Sequence, residues 1–338
     1  MKRLVLIDGT NFFFRGAWGG NDICTVHGED VSYVLAYFRN LYSLMGRFGN
    51  VDHNYYAICW EGGYDERLRI SSEAVQAGLI PKAYKQERRE SREMESAEDK
   101  EKSLSFKRQM KLSREMTDFT VIRQYCIPGE EADDVIGSLA SKYKGEFDEV
   151  LLVTTDKDYY QLLDANVKMY QSGKGEYKDL SYLKSEYGLD RALQWTEVGA
   201  LAGESGAGSD TIYGVPGIGY KTAAKLISEY GDLATMKEGA LTELLPDIMK
   251  CGNDIKELYR KVKEHKYKLR HHVKEMYVLA HWDIVELALK LKAIRTFVDV
   301  DLFNPKPSWT ELDKGFKDFG FPMGGIVDRL AEIGDYGY

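Results

Sequence analysis

The sequence predicts an α/β fold with a mostly parallel central sheet flanked by helices, on three observations. Short runs rich in β-branched, aromatic or leucine residues recur through the first half of the chain. Between them lie segments whose apolar residues repeat at helical spacing. From about residue 190 the strand signals fade, leaving a helical region.

Strands are expected at 4–7, 55–60, 120–125, 150–154 and 167–170. Val31, Val34, Leu35, Phe38, Leu41, Tyr42 and Met45 share one helical face, as do Ala132, Val135, Ile136, Leu139, Ala140 and Tyr143. Residues 82–114 break the alternation with eleven Lys or Arg and seven Asp or Glu. They read as an exposed, locally positive helical insertion lacking a core face through most of its length. Further on, Trp195, Val198, Leu201 and Ala202 mark a helix, a glycine-rich loop follows, and helices are expected at 221–230, 254–268 and 283–297. The expected organisation is an α/β core over 1–190 with its insertion at about 82–114, a helical subdomain over 191–282, and a C-terminal helical extension over 283–338.

Of the 338 residues, 43% are hydrophobic and 30% charged, which suits a folded chain of about two domains. No apolar run approaches the roughly 18 residues that span a bilayer, so no membrane is expected. The opening MKRLVLIDGT does not read as a signal peptide, because Asp8 cuts its apolar stretch short. Cys24, Cys59, Cys126 and Cys251 are scattered, which argues against a zinc ribbon or a disulfide framework and fits a reducing cytoplasm. The net charge of −8 argues against a histone-like coat for nucleic acid. It leaves room for an acidic metal site and a separate basic surface.

Carboxylates recur where strands are expected to end. Asp8 closes the first strand and Glu61 follows the second. Glu131, Asp133 and Asp134 open the helix after the third, and Asp156 and Asp158 follow the fourth. In a parallel sheet these ends face one way. Two like charges about 4 Å apart cost about 1 kcal/mol in water and about 4 kcal/mol at an effective dielectric near 20. Convergence therefore calls for a divalent cation, and all-oxygen ligands select a hard one such as Mg²⁺ or Mn²⁺. A pair of such ions suits in-line phosphodiester displacement. Taken singly, each acidic residue also reads as an ordinary helix cap.

The string GVPGIGYKTAAK places Gly214, Val215, Gly217 and Gly219 directly before a helix. Its backbone N–H groups and the helix N-terminus suit a phosphate, with charge from Lys221 and Lys225. A plain helix–turn–helix corner is the alternative. The spacing is not that of an NTPase phosphate loop, which disfavours ATP.

These segments together resemble the 5′-nuclease superfamily, the flap endonucleases and 5′–3′ exonucleases of phages and bacteria. The strings that carry the resemblance are IDGTNFFFR, ICWEGG, AYKQERR, GEEADDVIG, VTTDKDYYQLL and GVPGIGYKTAAK, in the family's order over two-thirds of the chain. The resemblance implies a PIN-like core and a helix–hairpin–helix DNA-binding subdomain with a duplex-binding hairpin at 214–219. It assigns Asp8, Glu61, Glu131, Asp133, Asp134, Asp156 and Asp158 to the metal site, which it implies holds two ions. The family's acidic pair before the hairpin is matched by Glu204 and Asp210 in GESGAGSD, a departure in residue type and spacing that puts Glu204 in doubt. The resemblance also implies a monovalent cation at the hairpin.

The match makes residues 82–114 a helical arch that threads single-stranded DNA. Lys85 and Arg88 would serve as catalytic cations near the scissile phosphate, and Tyr84 would stack on a base or pack at the arch base. Phe12, Phe13 and Phe14 are expected in the core, and Arg15 contacts phosphate or forms an ion pair. The implied activity is a stand-alone, structure-selective 5′ nuclease of replication in the cytoplasm, of a host if the source is a phage. Its substrates would be branched or nicked DNA and RNA–DNA hybrids, and its partners a single-strand-binding protein or a clamp. A PIN-type ribonuclease and a non-catalytic DNA-binding paralogue are the alternatives.

Overall fold

The computed structural model describes residues 1–19, 25–26, 29–49, 54–204 and 209–318. In chain order the elements are β1 (Arg3–Asp8), α1 (Gly9–Gly19), β2 (Thr25–Val26), β3 (Glu29–Asp30), α2 (Ser32–Phe48), β4 (Asn54–Cys59), α3 (Asp65–Gln76), α4 (Gln86–Glu93), α5 (Ala97–Thr117), β5 (Arg123–Tyr125) and α6 (Ala132–Tyr143). There follow β6 (Glu149–Val153), a 3-10 helix (Lys157–Leu162), β7 (Val167–Gln171), β8 (Glu176–Lys178), α7 (Leu180–Tyr187), α8 (Gln194–Ala202), α9 (Tyr220–Tyr230), α10 (Leu233–Met249), α11 (Ile255–Lys263), α12 (Val273–Ala280), α13 (Trp282–Lys292) and α14 (Trp309–Asp318).

The chain forms two compact units. The first comprises Met1–Tyr64, Glu95–Asp179 and Ile294–Tyr338; the second comprises Asp65–Met94 and Leu180–Ala293. These units cut the chain differently from the expected 1–190, 191–282 and 283–338. The segment 65–94 joins the helical unit because buried Arg67 of α3 caps α13: its Nε donates to the Leu291 carbonyl at 2.9 Å and its Nη2 to that of Ala293 at 3.2 Å. Carbonyls at a helix C-terminus lack partners in their own helix, so a guanidinium there satisfies two at once.

In the first unit a six-stranded sheet runs in the order β5-β4-β1-β6-β7-β8, parallel except for β8 against β7. All five expected strands are present, and the mostly parallel sheet is as expected. β8 is an addition: three residues on a short hairpin give no alternation to read. Leu4–Ile7 of β1 and all of β6 are buried, as befits central strands covered on both faces. α2 and α6 bury the faces expected of them, except that Tyr42 and Tyr143 are only half-buried.

The charged insertion departs from expectation in its second half. α5 begins on a Ser96 cap, yet buries Gln109, Ser113, Met116 and Thr117. Phe106, Met110 and Leu112 pack against the sheet core beside Phe13 and Phe316. Its core face is read across charged neighbours at every turn, which hides its periodicity. Phe12 and Phe13 are buried as expected, whereas Phe14 is 49% exposed, its ring edge-on to Phe106.

The second unit is helical. Ala240, Leu244, Ile248, Leu258, Met276 and Leu279 form one core among α10, α11 and α12. Among the described residues no helix is long and apolar enough to cross a membrane.

Candidate metal centre and phosphate-binding hairpin

Three strand ends and the start of one helix build the acidic centre of the first unit. Asp8 ends β1 at 8% exposure. Its Oδ1 accepts from the Asn11 N–H at 3.1 Å, and its Oδ2 accepts from the Thr154 hydroxyl at 3.1 Å. Asn11 also exchanges hydrogen bonds with Thr155, tying the end of β1 to the loop after β6. Glu61 leaves β4 and accepts from Ala132 N–H, the first residue of α6, at 3.3 Å. Its loop reaches that helix because Gly62 N–H donates to Glu130 O at 2.9 Å and Gly129 N–H to Gly62 O at 3.0 Å. A Cβ at Gly62 would fall 1.9 Å from the Ile127 carbonyl, so only glycine permits this approach.

At the start of α6, ligand atoms of Glu131, Asp133 and Asp134 lie within 4.8 Å of one another. Asp156 caps the 3-10 helix, its Oδ1 accepting from Asp158 N–H at 2.9 Å. Tyr159 is buried at the first turn of that helix. Burial, followed by the charges of Asp8, Asp133, Asp156 and Glu61, holds its phenol well above its ordinary range. Its hydroxyl hydrogen-bonds Asp8. The DKDYY string carried this residue, but nothing in its spacing marks Tyr159 as a hydrogen-bond partner of Asp8.

Burial, aided by the nearby charge of Glu61, pushes the Asp8 carboxyl up to about 6, against opposing hydrogen bonds from Asn11, Thr154 and Tyr159. A raised folded-state value means the folded apo protein holds this proton more tightly than the unfolded chain. Stability from Asp8 is therefore present below its ordinary 3.8 and is lost as pH rises to about 6. Asp8→Asn keeps the shape and removes the charge. In EDTA at neutral pH the variant is expected to be more stable than wild type by up to about 3 kcal/mol, some two pKa units at about 1.4 kcal/mol each. Thermal melts across pH 4 to 7 check this; parallel curves for the two proteins would contradict it.

Asp134, one of this cluster, also has an arginine partner. It is wholly buried, and both its oxygens are held by Arg295. Oδ1 accepts from the Arg295 backbone N–H at 2.8 Å, and Oδ2 accepts from Nε at 3.0 Å and Nη2 at 2.7 Å. Arg295 Nη2 also pairs with Glu130. Neighbouring bonds extend the contact: Ile294 N–H donates to Gln161 at 2.8 Å and Val298 N–H to Ser138 at 2.9 Å. Asp134, expected as a metal ligand, is also the buried counter-ion of an arginine. The remaining donors are all oxygen and converge on the first turn of α6 and the end of the sheet, so a hard divalent cation fits them.

The other expected site residues belong to the second unit. Tyr84 is 3% exposed, its hydroxyl donating to Asp210 Oδ2 at 3.2 Å, so its ring is packed within the second unit. Lys85 is 9% exposed and begins α4 in the left-handed region at φ 55°, with its ammonium 5.1 Å from the centre of the Tyr84 ring. Its N–H donates to the Asp210 carbonyl at 2.9 Å, and Arg88 pairs with the Asp210 carboxylate at 3.5 Å. Glu204 accepts from buried Lys292 and from Tyr220 at 3.3 Å, which makes it a partner for that ammonium. Residues 205–208 of GESGAGSD lie outside the described residues. In the first unit, Arg15 lays its guanidinium against Gly173 of the β7–β8 turn, where a Cβ would meet Nη2 at 2.1 Å.

The hairpin is a turn of Val215–Pro–Gly–Ile218, closed by Ile218 N–H on the Val215 carbonyl at 3.0 Å. Gly217 takes φ 77°, the left-handed conformation of the third residue in a type II turn, with open space around it. Val215 and Ile218 are buried and anchor the turn, while Gly219 caps α9. An open concavity of about 530 Å³ lies along this loop, lined by Glu204, Tyr213 and residues 214–219. Lys221 and Lys225 are exposed on the helix that follows.

Residues 3–188 match the family described as 5′-3′ exonuclease, N-terminal resolvase-like domain. A 5′-3′ exonuclease of Halalkalibacterium halodurans is 30% identical over 247 residues, covering 70% of this chain and 72% of that protein. The thermostable DNA polymerase I of Thermus thermophilus is 30% identical over 265 residues, 78% of this chain and 28% of the polymerase. The chain thus spans little more than a quarter of that relative. The bacteriophage T5 flap endonuclease, solved as a complex with DNA and metal ions, shares the fold at a TM-score of 0.63 and 20% identity, covering 99% of this chain and 100% of that one. With more than half of its length matched by the family and its acidic strand ends gathered as described, the chain belongs to the 5′-3′ exonuclease family.

Proposed function

We propose that the protein is a metal-dependent, structure-selective 5′ nuclease that hydrolyses phosphodiester bonds of DNA, by exonuclease or flap-endonuclease cleavage, and the RNA of RNA–DNA hybrids. The observation that carries this is the cluster at the start of α6, where ligand atoms of Glu131, Asp133 and Asp134 lie within 4.8 Å of one another. So many carboxylates in one place cost too much to be kept without a cation. Asp8, Glu61, Glu131, Asp133 and Asp156 would hold Mg²⁺ or Mn²⁺, two ions in the full site. A divalent pair supplies a hydroxide at neutral pH and offsets the charge of an in-line displacement.

The protein's own groups orient and restrain. Asn11, Thr154 and Tyr159 fix the Asp8 carboxylate, and the N-terminus of α6 steadies Glu61. Lys85 and Arg88 supply positive charge to the phosphodiester. The hairpin amides and Lys221 hold duplex phosphates, which sets register without reading sequence. A phage T5 flap endonuclease of this fold was solved with DNA and metal ions, which suits the reading of a metal-dependent nuclease.

The deciding experiment is cleavage of 5′-labelled flap, nicked duplex and RNA–DNA hybrid in Mg²⁺, with EDTA as control. Mononucleotide products mean exonuclease action, and a released flap means endonuclease action. Absence of cleavage on all three substrates would leave a DNA-binding paralogue.

A further inference from the structure

Residues 260–274 carry seven Lys or Arg and one acidic residue, Glu264, in a chain whose net charge is −8. They run from the end of α11 through a loop into α12. The loop alternates. Tyr267 and Leu269 turn inward against the core of α10–α12, and the Tyr267 hydroxyl donates to Asp247. Lys266, Lys268 and Arg270 lie between and beside them, all exposed. The alternation fixes which side chains face solvent, so this ridge of cations is held in place from beneath.

Two further observations point to a ligand. Lys266 is paired with Glu264 at 2.7 Å, but Lys268 and Arg270 have no ion-pair or hydrogen-bond partner among the described residues. At the far end of the ridge the Lys274 ammonium donates to the Gly217 carbonyl at 3.2 Å. The loop is thereby continuous with the turn of the hairpin. Unpartnered cations that extend a phosphate-binding turn suit a regular polyanion.

We infer that the ridge formed by Lys266, Lys268, Arg270 and Lys274 is a second phosphate track. It binds the backbone of the same duplex arm that the hairpin holds, farther along that arm. This rests on the reading of the hairpin as a duplex anchor. Such contacts carry no sequence information, so they lengthen the duplex the protein senses and leave its sequence preference unchanged.

The test is the double variant Lys268→Gln/Arg270→Gln, whose wild-type side chains hold no partner whose loss would unfold the loop. Binding is measured in EDTA across a salt series, on flap substrates with a short and a long duplex arm. On the long arm, the slope of log affinity against log salt is expected to fall by about two units, one per lost phosphate contact. On the short arm and on single strand it is expected to stay at the wild-type value. An unchanged slope on the long arm overturns the inference, as does an equal loss on all three. Lys221→Ala, measured alongside, separates the two readings. If it weakens both arms while the double variant weakens neither, the hairpin stands and the ridge falls. If Lys221→Ala weakens neither arm, the hairpin reading itself fails.

Discussion

Arg295→Ala is expected to cost about 3–5 kcal/mol of folding stability, the usual penalty for stripping the partner from a buried charge. Asp134 has no exposed surface, and the arginine side chain supplies two of the three hydrogen bonds its oxygens accept from Arg295. The truncation removes both guanidinium hydrogen bonds from Asp134. Arg295→Lys restores a charge but not the forked geometry, so it should recover only part of the loss. Urea unfolding in EDTA measures all three proteins without involving metal. A loss below about 1 kcal/mol for the alanine variant would mean that Asp134 is held by something other than this pair. Asp134→Ala should then lose activity together with stability, and combining it with Arg295→Ala should cost less than the sum of the two.

Asp133→Ala and Asp156→Ala are expected to behave otherwise. Both carboxylates act electrostatically on buried Tyr159. Removing one takes away like-charge repulsion as well as a ligand, so the apo protein should melt no lower than wild type. Hydrolysis should fall by roughly a thousandfold or more, since several kcal/mol of transition-state stabilisation at about 1.4 kcal/mol per decade is at stake. Affinity for nicked duplex should hold within a few-fold. The rise in melting temperature that Mg²⁺ gives the wild type should shrink or vanish. Near wild-type cleavage by both variants would remove the acidic cluster from the mechanism.

The sheet was legible because central parallel strands are continuous apolar runs, and Leu4–Ile7 and β6 have that form. The carboxylates were legible because each follows such a run. What escaped reading were relations between distant residues. Arg295 lies 161 positions from Asp134, and nothing local marks it as the ion-pair partner of that carboxylate. Tyr84 reads equally well as a stacking ring or a packed one until its hydroxyl is seen on Asp210, 126 positions away. The core half of α5 was hidden by its charges. α10 was obscured by Pro246 inside the helix and by its weak apolar periodicity.

The long separation between Asp134 and Arg295 also sets an order of events during synthesis. The strands β1, β4, β5 and β6 and helix α6 all emerge before residue 160, so the sheet and its carboxylates can assemble early. The segment that neutralises Asp134 follows 161 residues behind it. At about 5–20 residues per second, the nascent chain waits roughly 8–30 s between the two. Throughout that interval the start of α6 carries an uncompensated carboxylate at the position destined for complete burial, and the helix cannot settle without cost. The acidic centre is therefore finished late, after the whole helical unit has left the ribosome.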